Sequence, residues 1–425
     1  MMVVLKRSMV SMGVAAILVS PAYATNGMNL EGYGAKSAAM GGTSMAYDVG
    51  NSGMMGNPAT LGLRKEGNNF GLGVTLMQPD VNASIPAYGL SSDSGGDSYL
   101  MPSVSFIRKD GAFTYGVGVF AQGGMGTEYS GSSFLSGGTG LEQRSEVGFG
   151  RLMFPLAYNV SDEFIVAGQL DYVWGTMDLK MLQIDPTTGN GGYVNVSDDN
   201  DFDGAMTGSG FAFKLGAVYK VNKDFSLGAS WHSETDIDDL EGSGSITPFM
   251  GGMTPGAMPA NFTVVDFQWP QTFGVGMAWN VTPELMVAAD IKQLMWSQVM
   301  KDFTMTTDIP GMGAQTQTMP QNWDDQTVFA IGAQYKIDPA VALRIGYNYG
   351  KNPVPDDTLN PLFPAITESH FTFGAGWQID KANSLAIAFT YAPEVTQTAV
   401  APNPAAPIEM SHSQTLWRLN YAYNF

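Results

Sequence analysis

The feature that most constrains the fold is an alternation of apolar and polar residues with a period of two. The clearest run lies at the C-terminus. There the apolar residues Trp417, Leu419, Tyr421, Tyr423 and Phe425 alternate with Arg418, Asn420, Ala422 and Asn424. A β-strand turns successive side chains to opposite faces, so such a run has one apolar and one largely polar face. The alternation therefore predicts a sheet with different surroundings on its two sides.

The same alternation recurs along most of the chain. Leu343, Ile345 and Tyr347, for example, alternate with Arg344 and Gly346. Single-chain bacterial barrels have an even number of strands. These runs predict fourteen strands, at residues 68–79, 99–109, 113–122, 143–159, 164–182, 209–222, 225–238, 268–280, 285–303, 324–337, 340–351, 367–380, 384–397 and 411–425.

The connections between the predicted strands alternate in length. Six are tight turns with the Asn, Asp, Pro and Gly residues that turns require, as in Lys109-Asp110-Gly111-Ala112. The other seven are longer and rich in Gly, Pro, Ser, Asp and Met. Short turns at one end and long loops at the other are typical of outer-membrane barrels. Charged residues form only 14% of the chain, against about 25% in soluble domains.

Backbone groups in lipid must be hydrogen-bonded within the protein, so a membrane-spanning sheet has to close on itself. We therefore predict an all-β fold, a 14-stranded antiparallel transmembrane β-barrel, over residues 68–425. Its own side chains do not fill so wide a barrel. Residues 25–67 are rich in Gly, Ala, Ser and Met and do not alternate. We predict that they form an N-terminal hatch, or plug, inside the lumen.

The first 24 residues have the pattern of a secretory signal peptide. Lys6 and Arg7 precede a short apolar core at 9–19, and Ala22-Tyr23-Ala24 forms a small-residue cleavage site. The terminal Phe425 resembles the signal read by the barrel assembly machinery. Together these features predict a bacterial outer-membrane protein in contact with outer-membrane lipid and lipopolysaccharide.

Composition argues against several classes of function. A formal net charge of −19 without a basic stripe argues against nucleic acid. There are no cysteines and three scattered histidines, so no zinc site is visible. We find no nucleophile elbow, P-loop or dinucleotide fingerprint, and expect neither an enzyme nor a cofactor. Asp199–Gly204 resembles half of a calcium loop, but position 12 is Gly210, so we expect an acidic surface loop.

Several motifs together resemble the FadL-type family of long-chain fatty acid and hydrocarbon transporters. They are Gly41-Gly42, Asn57-Pro58-Ala59, Gly116–Tyr129 (GVGVFAQGGMGTEY), Trp231-His232-Ser233-Glu234-Thr235, Asn322-Trp323-Asp324-Asp325, Pro353-Val354-Pro355-Asp356 and the closing strand. The resemblance implies a fourteen-stranded barrel with an N-terminal hatch. It further implies that a hydrophobic ligand moves from the outer loops to a pocket and leaves through a gap near a kinked third strand.

The resemblance also assigns roles to two groups of residues. Hatch residues at the functional turn or gate would be Gly41, Gly42, Asn57, Pro58 and Ala59. Glycines at the lateral opening of the third predicted strand would be Gly116, Gly118, Gly123 and Gly124. Glycine is expected where a strand kinks or bulges. The residues alone leave open a plain Asn-Pro turn in the hatch.

Basic residues on the predicted strands could hold a carboxylate head group or form lumenal ion pairs. These are Lys180, Lys214, Lys292, Arg344 and Arg418. Fatty-acid-binding members of the family use basic residues after the fifth strand and near the tenth. Here the tenth predicted strand begins Trp323-Asp324-Asp325, where a lysine would be expected before the second aspartate. This departure leaves room for a neutral ligand.

The sequence therefore predicts a monomeric channel for passive uptake of hydrophobic compounds, with long-chain fatty acids as the first expectation. Neutral aromatic or alkane hydrocarbons are the alternative. Methionine-rich stretches at 250–258 and 300–319 would suit varied apolar molecules. A general diffusion porin is a further alternative, but it requires an open lumen without a plug.

Overall fold

A computed structural model describes residues 26–184, 190–199, 204–250, 256–400 and 407–425. The predicted signal peptide at 1–24 lies outside these residues, as do positions 200–203 of the predicted acidic loop. Among the described residues, no helix is long and apolar enough to cross a membrane.

The described strands belong to one antiparallel sheet. They are β1 (Gly67–Ile85), β2 (Leu90–Asp93), β3 (Tyr99–Asp110), β4 (Phe113–Tyr129), β5 (Gln143–Asn159), β6 (Phe164–Ile184), β7 (Gly191–Val196), β8 (Met206–Lys220), β9 (Phe225–His232), β10 (Asp236–Ile237), β11 (Leu240–Phe249), β12 (Met258–Val265), β13 (Thr272–Asn280), β14 (Leu285–Leu294), β15 (Asp302–Ile309), β16 (Gly313–Pro320), β17 (Gln326–Lys336), β18 (Val341–Gly350), β19 (Ser369–Gln378), β20 (Asn383–Ala399) and β21 (Ile408–Asn424). The helices α1 (Gly34–Ala38) and α2 (Trp296–Val299) are short, as are 3₁₀ turns at Gly50–Met54, Pro58–Leu63, Pro86–Tyr88 and Phe134–Ser136.

The sheet closes because its first and last long strands pair. β1 and β21 run antiparallel from Asn69 opposite Asn424 to Ser84 opposite Glu409. The closed circuit of neighbours runs β1-β3-β4-β5-β6-β7-β11-β8-β9-β13-β14-β17-β18-β19-β20-β21 and back to β1. It contains sixteen described strands, and five more, β2, β10, β12, β15 and β16, lie outside it.

The predicted count of fourteen strands is therefore wrong. Each predicted strand overlaps a described one, but further short strands lie where the sequence indicates loops: β2, β7, β11, β12, β16 and most of β15. The short β10 falls within the predicted strand 225–238, which the structure divides into β9 and β10. Among the further short strands, β7 and β11 connect β6 to β8 near the long loops, while β6 and β8 pair directly nearer the short turns. These strands escape prediction because they lack a regular lipid-facing row. All of β16 except Met319 is exposed.

The two faces of the long strands differ as the alternation predicts. On β8, Phe213 and Leu215 are more than half exposed, whereas Lys214 between them is 1% exposed. On β21, Trp417 is exposed and Arg418 is buried. The outward face is apolar and the inward face is polar, as a sheet between lipid and a polar interior requires.

Residues 26–66, here called the N-terminal segment, pack against the inward face. The Ser44 amide donates to Asp290 Oδ2 at 2.6 Å, and Lys292 Nζ donates to the Gly42 oxygen at 2.8 Å. Gly41 has a φ of +71°, and a Cβ there would lie 2.5 Å from the Tyr347 oxygen. Only glycine allows such backbone-to-backbone contact at a positive φ.

Candidate functional site

Strand β4 is irregular at the position where the sequence predicts a kink. It pairs with β3 from Asp110 opposite Phe113 only as far as Ser103 opposite Phe120. Its pairing with β5 continues, but the register shifts between Ala121 and Gly123. One residue, Gln122, is therefore extra on β4, which is a β-bulge. Beyond the bulge, β4 diverges from β3.

The N-terminal segment occupies the inner side of this break. Asn29 forms an isolated antiparallel bridge with Gly123, and the Gly124 amide donates to the Met28 oxygen at 3.2 Å. Gly123 has a φ of +153°, and a Cβ there would lie 2.4 Å from the Met28 oxygen. Any larger residue would push Met28 away from β4.

The four glycines of the predicted opening fall into two pairs. Gly123 and Gly124 lie at the break. Gly116 and Gly118 lie before it, in regular pairing opposite Ile107 and Ser105 of β3. Gly118 faces the N-terminal segment, since a Cβ there would lie 2.7 Å from Met54 Sδ. Gly116 and Gly118 therefore belong to the continuous wall.

A cavity of about 310 Å³ lies at the break. It is lined by outward-facing residues such as Leu100, which is 48% exposed, and by inward-facing ones such as Phe149, which is buried. The rest of its lining comes from Gly27, β1, β3, β4, β5, β6, the Pro364-Ala365 loop and β21. The cavity thus joins the outer and inner faces of the wall.

The lining is mostly apolar. Among the described residues no Lys or Arg lines the cavity, and Glu146 is the one acidic residue that does. Glu146 accepts a hydrogen bond from Arg144 at 2.6 Å. An ionised carboxylate in such surroundings needs a cationic or donor partner to offset its lost hydration. The chemistry of the lining favours an uncharged guest.

The predicted basic candidates lie elsewhere, and each is engaged by protein groups. Lys180 Nζ contacts Glu142 and Asp199 at 3.0 and 2.6 Å. Lys214 Nζ lies 3.3 Å from Asp171 and donates to the Met54 oxygen at 2.8 Å.

The remaining three candidates are also bound. Lys292 holds the Gly42 oxygen, as described above, and Arg344 Nε donates to Gln334 at 2.8 Å. Arg418 contacts Glu31 at 2.7 Å and Thr390 at 2.9 Å. Lys180, Lys214 and Arg418 thus form ion pairs, whereas Lys292 and Arg344 donate to uncharged oxygens.

The predicted hatch turn contacts the wall directly. Asn57 Nδ2 donates to the oxygens of Met45 and Ala217, at 2.7 and 3.0 Å, and its Oδ1 accepts from the Ala59 amide. Asn57 thus caps the 3₁₀ turn that begins at Pro58. Ala59 is buried among apolar residues of β5, β6 and β8.

The two hatch glycines form a second contact with the wall. Asn348 Nδ2 donates to the Gly41 oxygen at 3.0 Å, and the Gly41 amide donates to Thr372 Oγ1 at 2.9 Å. Gly42 has a φ of +82°, and a Cβ there would lie 1.8 Å from the Glu31 oxygen. The chain turns back on itself here, which requires glycine.

Charges in the N-terminal segment are held by nearby partners. Burial lowers the pKa of Lys36 to about 8, although Asp48 opposes this shift. Burial alone would raise the pKa of Asp48, but Arg64 and Lys36 outweigh it and hold that pKa below its ordinary value. Lys36 Nζ also donates to the backbone oxygen of Asp48.

Sequence reasoning missed a buried row of aromatic rings beside the cavity. Phe149, Trp269, Trp296 and Trp323 follow one another with centroid separations of 5.0, 5.7 and 5.4 Å. Gly27 packs on this row, since a Cβ there would lie 2.9 Å from the Trp296 ring. The three tryptophans lie outside the described strands, although the sequence predicts Trp269 and Trp296 to lie within strands.

Comparisons with known proteins agree with the geometry. A family model described as outer membrane protein transport protein (OMPP1/FadL/TodX) matches residues 11–425. The P. putida toluene transporter TodX superposes with a TM-score of 0.83 at 28% identity, over 93% of this chain and 99% of that one. The Ralstonia pickettii toluene transporter TbuX gives a TM-score of 0.76 at 30% identity, over 93% and 99%.

Curated relatives add two matches. An uncharacterised protein of Chlorobium limicola is 64% identical over 64 residues, which are 15% of this chain and 32% of that protein. The long-chain fatty acid transport protein of Escherichia coli O6:H1 is 21% identical over 412 residues, 90% of each chain. The family expected from the motifs is thereby confirmed, as is the expectation of a transporter rather than an enzyme. The chain belongs to the OMPP1/FadL/TodX family of outer-membrane transport proteins, β-barrel channels for hydrophobic compounds.

Proposed function

We propose that the protein passively admits small, neutral aromatic molecules across the outer membrane. The observation that carries this proposal is the apolar cavity of about 310 Å³ at the break between β3 and β4. A dry apolar cavity of about 150 Å³ is enough to hold benzene. The cavity therefore has room for one substituted ring.

The lack of a cation among the described residues that line the cavity favours neutral ligands over fatty acids. No Lys or Arg lines the cavity among the described residues, and all five basic candidates are held by protein groups. Two structural relatives, TodX and TbuX, are described as toluene transporters, which adds support. Uptake of long-chain fatty acids stays a prediction, and it would require a cationic side chain to pair with the carboxylate of the ligand.

We further propose that the ligand leaves sideways between β3 and β4, and that the N-terminal segment plugs the lumen. Three observations support this route: β4 leaves β3 after Phe120, the cavity reaches both faces, and Met28 and Asn29 bind the inner side of the break. The turns at Gly41-Gly42 and at Asn57-Pro58-Ala59 would fix the plug and set how far it moves.

The test is uptake into cells that lack other channels of this family. Cells expressing the full chain should take up labelled toluene faster than cells with an empty vector, and oleate no faster. The variant Gly123→Val, which places a side chain at the break, should change toluene uptake. Gly168→Ala on β6 is a matched control, because no atom lies within 4 Å of a Cβ there and the backbone φ at Gly168 is not positive.

Two outcomes would contradict the proposal. Equal toluene uptake with and without the protein would exclude the function. Oleate uptake that exceeds toluene uptake would favour the fatty-acid alternative. Single-channel recording distinguishes the proposed function from a general diffusion porin. A porin requires a large, steady ion current from the full-length protein.

A further inference from the structure

Two polar side chains on β21 line the apolar cavity, and each has one nitrogen atom without a hydrogen-bond partner in the described structure. His412 is 7% exposed and Gln414 is 3% exposed. His412 Nε2 and Gln414 Nε2 are both buried without a hydrogen-bond partner in the described structure. Both residues line the cavity and, two positions apart, they share the inward face.

The loop between β18 and β19 fixes the chemistry of His412. Its Nδ1 lies 2.9 Å from the Pro364 oxygen. A carbonyl oxygen can only accept, so Nδ1 donates and the neutral ring leaves Nε2 as an acceptor. The Gln414 amide nitrogen is a donor. The cavity wall thus offers one acceptor and one donor on a single strand.

A hydroxyl group is complementary to this pair. It can donate to His412 Nε2 and accept from Gln414 Nε2, whereas a methyl group can do neither. A carboxylate finds no cation among the described residues of the lining. Leaving buried polar groups unpaired costs free energy, because they have lost their hydration without gaining a partner. A ligand that pairs with them recovers part of this cost. Such a site therefore prefers ligands that carry the complementary hydrogen-bonding group over analogues that lack it.

We propose that the cavity selects mono-aromatic alcohols and phenols over hydrocarbons of the same shape, through His412 and Gln414. This inference rests on the proposed function, because it names a preferred substrate class for the same cavity. The ring contacts the apolar lining, and the hydroxyl reaches the two β21 side chains once they turn their buried nitrogen atoms toward the cavity.

The probes are p-cresol and p-xylene, which differ only by a hydroxyl in place of a methyl group. Their affinities are measured by titration calorimetry on the full-length protein in detergent. The wild type should prefer p-cresol by about tenfold, the equivalent of 1.4 kcal/mol. His412→Phe and Gln414→Leu should each lower the ratio of the two affinities several-fold. His412→Gln, which supplies an amide acceptor, should restore part of the ratio.

Ser413→Ala is the matched control, because Ser413 lies between the two residues on the opposite face of β21. Heat-dependent mobility on a denaturing gel verifies that each variant is folded, and the single Gln414→Leu variant tests the idea if His412→Phe does not fold. Two results overturn this inference alone, provided that p-xylene still binds. One is equal affinity of the wild type for p-cresol and p-xylene, and the other is an affinity ratio that neither substitution changes. If neither probe binds, the proposed function fails together with the inference.

Discussion

Glu31 and Arg418 join the N-terminal segment to the last strand by a buried ion pair. Arg418 Nη1 lies 2.7 Å from Glu31 Oε1, and the two side chains are at most 1% exposed. Thr390 donates to the same carboxylate and accepts from Arg418. Removing one partner of such a pair leaves an uncompensated buried charge.

We expect Arg418→Met to weaken the docking of the N-terminal segment by about 3–5 kcal/mol. Amide hydrogen exchange of residues 26–66 in the detergent-solubilised protein should become faster, with little change in the strands. The double variant Glu31→Gln/Arg418→Met removes both charges and should restore most of the protection. If the double variant exchanges as fast as the single one, the ion pair is not the anchor.

The same pair predicts a response to acid. Burial alone would raise the pKa of Glu31, but Arg418 and His370 outweigh it, and the pKa lies below its ordinary value of 4.5. The ionised form therefore stabilises docking, a contribution that is complete above the ordinary pKa and lost as pH falls through the lowered one. Exchange of residues 26–66 should rise on acidification within that window.

Glu31→Gln provides the comparison for this acid response, since it cannot titrate at position 31. The difference in exchange between wild type and variant should shrink as pH falls. A constant difference across the window would show that Glu31 is not the titrating group.

At the scale of elements, the bulge in β4 allows a test of whether uptake depends on the shape of the strand or on the side chain of Gln122. Deletion of Gln122 removes the extra residue and should let β4 pair regularly with β5 and run on beside β3. We expect the deletion to lower toluene uptake several-fold while the barrel stays folded. Uptake is measured in cells, and folding by heat-dependent mobility.

Gln122→Ala is the control for the deletion. It removes the same side chain, which accepts a hydrogen bond from Arg151 Nε, but keeps the bulge. It should therefore retain most of the uptake. If both variants lose uptake equally, the side chain matters and the shape of β4 does not.

The elements that the sequence predicts well are those that meet lipid. Lipid forces every second residue of a strand such as β8 or β18 to be apolar, so its alternation is visible without any tertiary information. Strands β12 and β15 instead bury Phe262 and Phe303 in a hydrophobic cluster, where Phe303 contacts Phe363 of the β18–β19 loop. Their pattern depends on partners far away in the chain, and the local sequence does not reveal it.

The candidate site was predicted only in part for the same reason. Gly123 and Gly124 stand out because glycine marks a bulge, and the family motif includes them. His412 and Gln414 look like ordinary inward residues of a strand. Their significance appears only when β1, β4, β5 and the Pro364 loop surround the same space.

At the scale of the whole molecule, the N-terminal segment packs against the inward face of a wide barrel. Sixteen circuit strands enclose more space than inward side chains fill. Deleting residues 27–62 should therefore produce a steady ion conductance well above that of the intact protein. Single-channel recording in planar bilayers measures it.

The full-length protein and Arg418→Met serve as references for the deletion. The full chain should conduct little, and the single variant should show brief openings as the segment undocks. A deletion that conducts no more than the full chain would show that the segment does not plug the lumen.

The seam between β1 and β21 also has a consequence for biogenesis. It joins residues near position 69 to residues near position 424, so the barrel cannot close before almost the whole polypeptide is available. Glu31 meets Arg418 on that same last strand. Docking of the N-terminal segment is therefore completed only when β1 pairs with β21. Pairings between residues this distant in sequence are slow to form. In an assembly intermediate that lacks β21, the N-terminal segment is therefore undocked and the edge of β1 is unpaired.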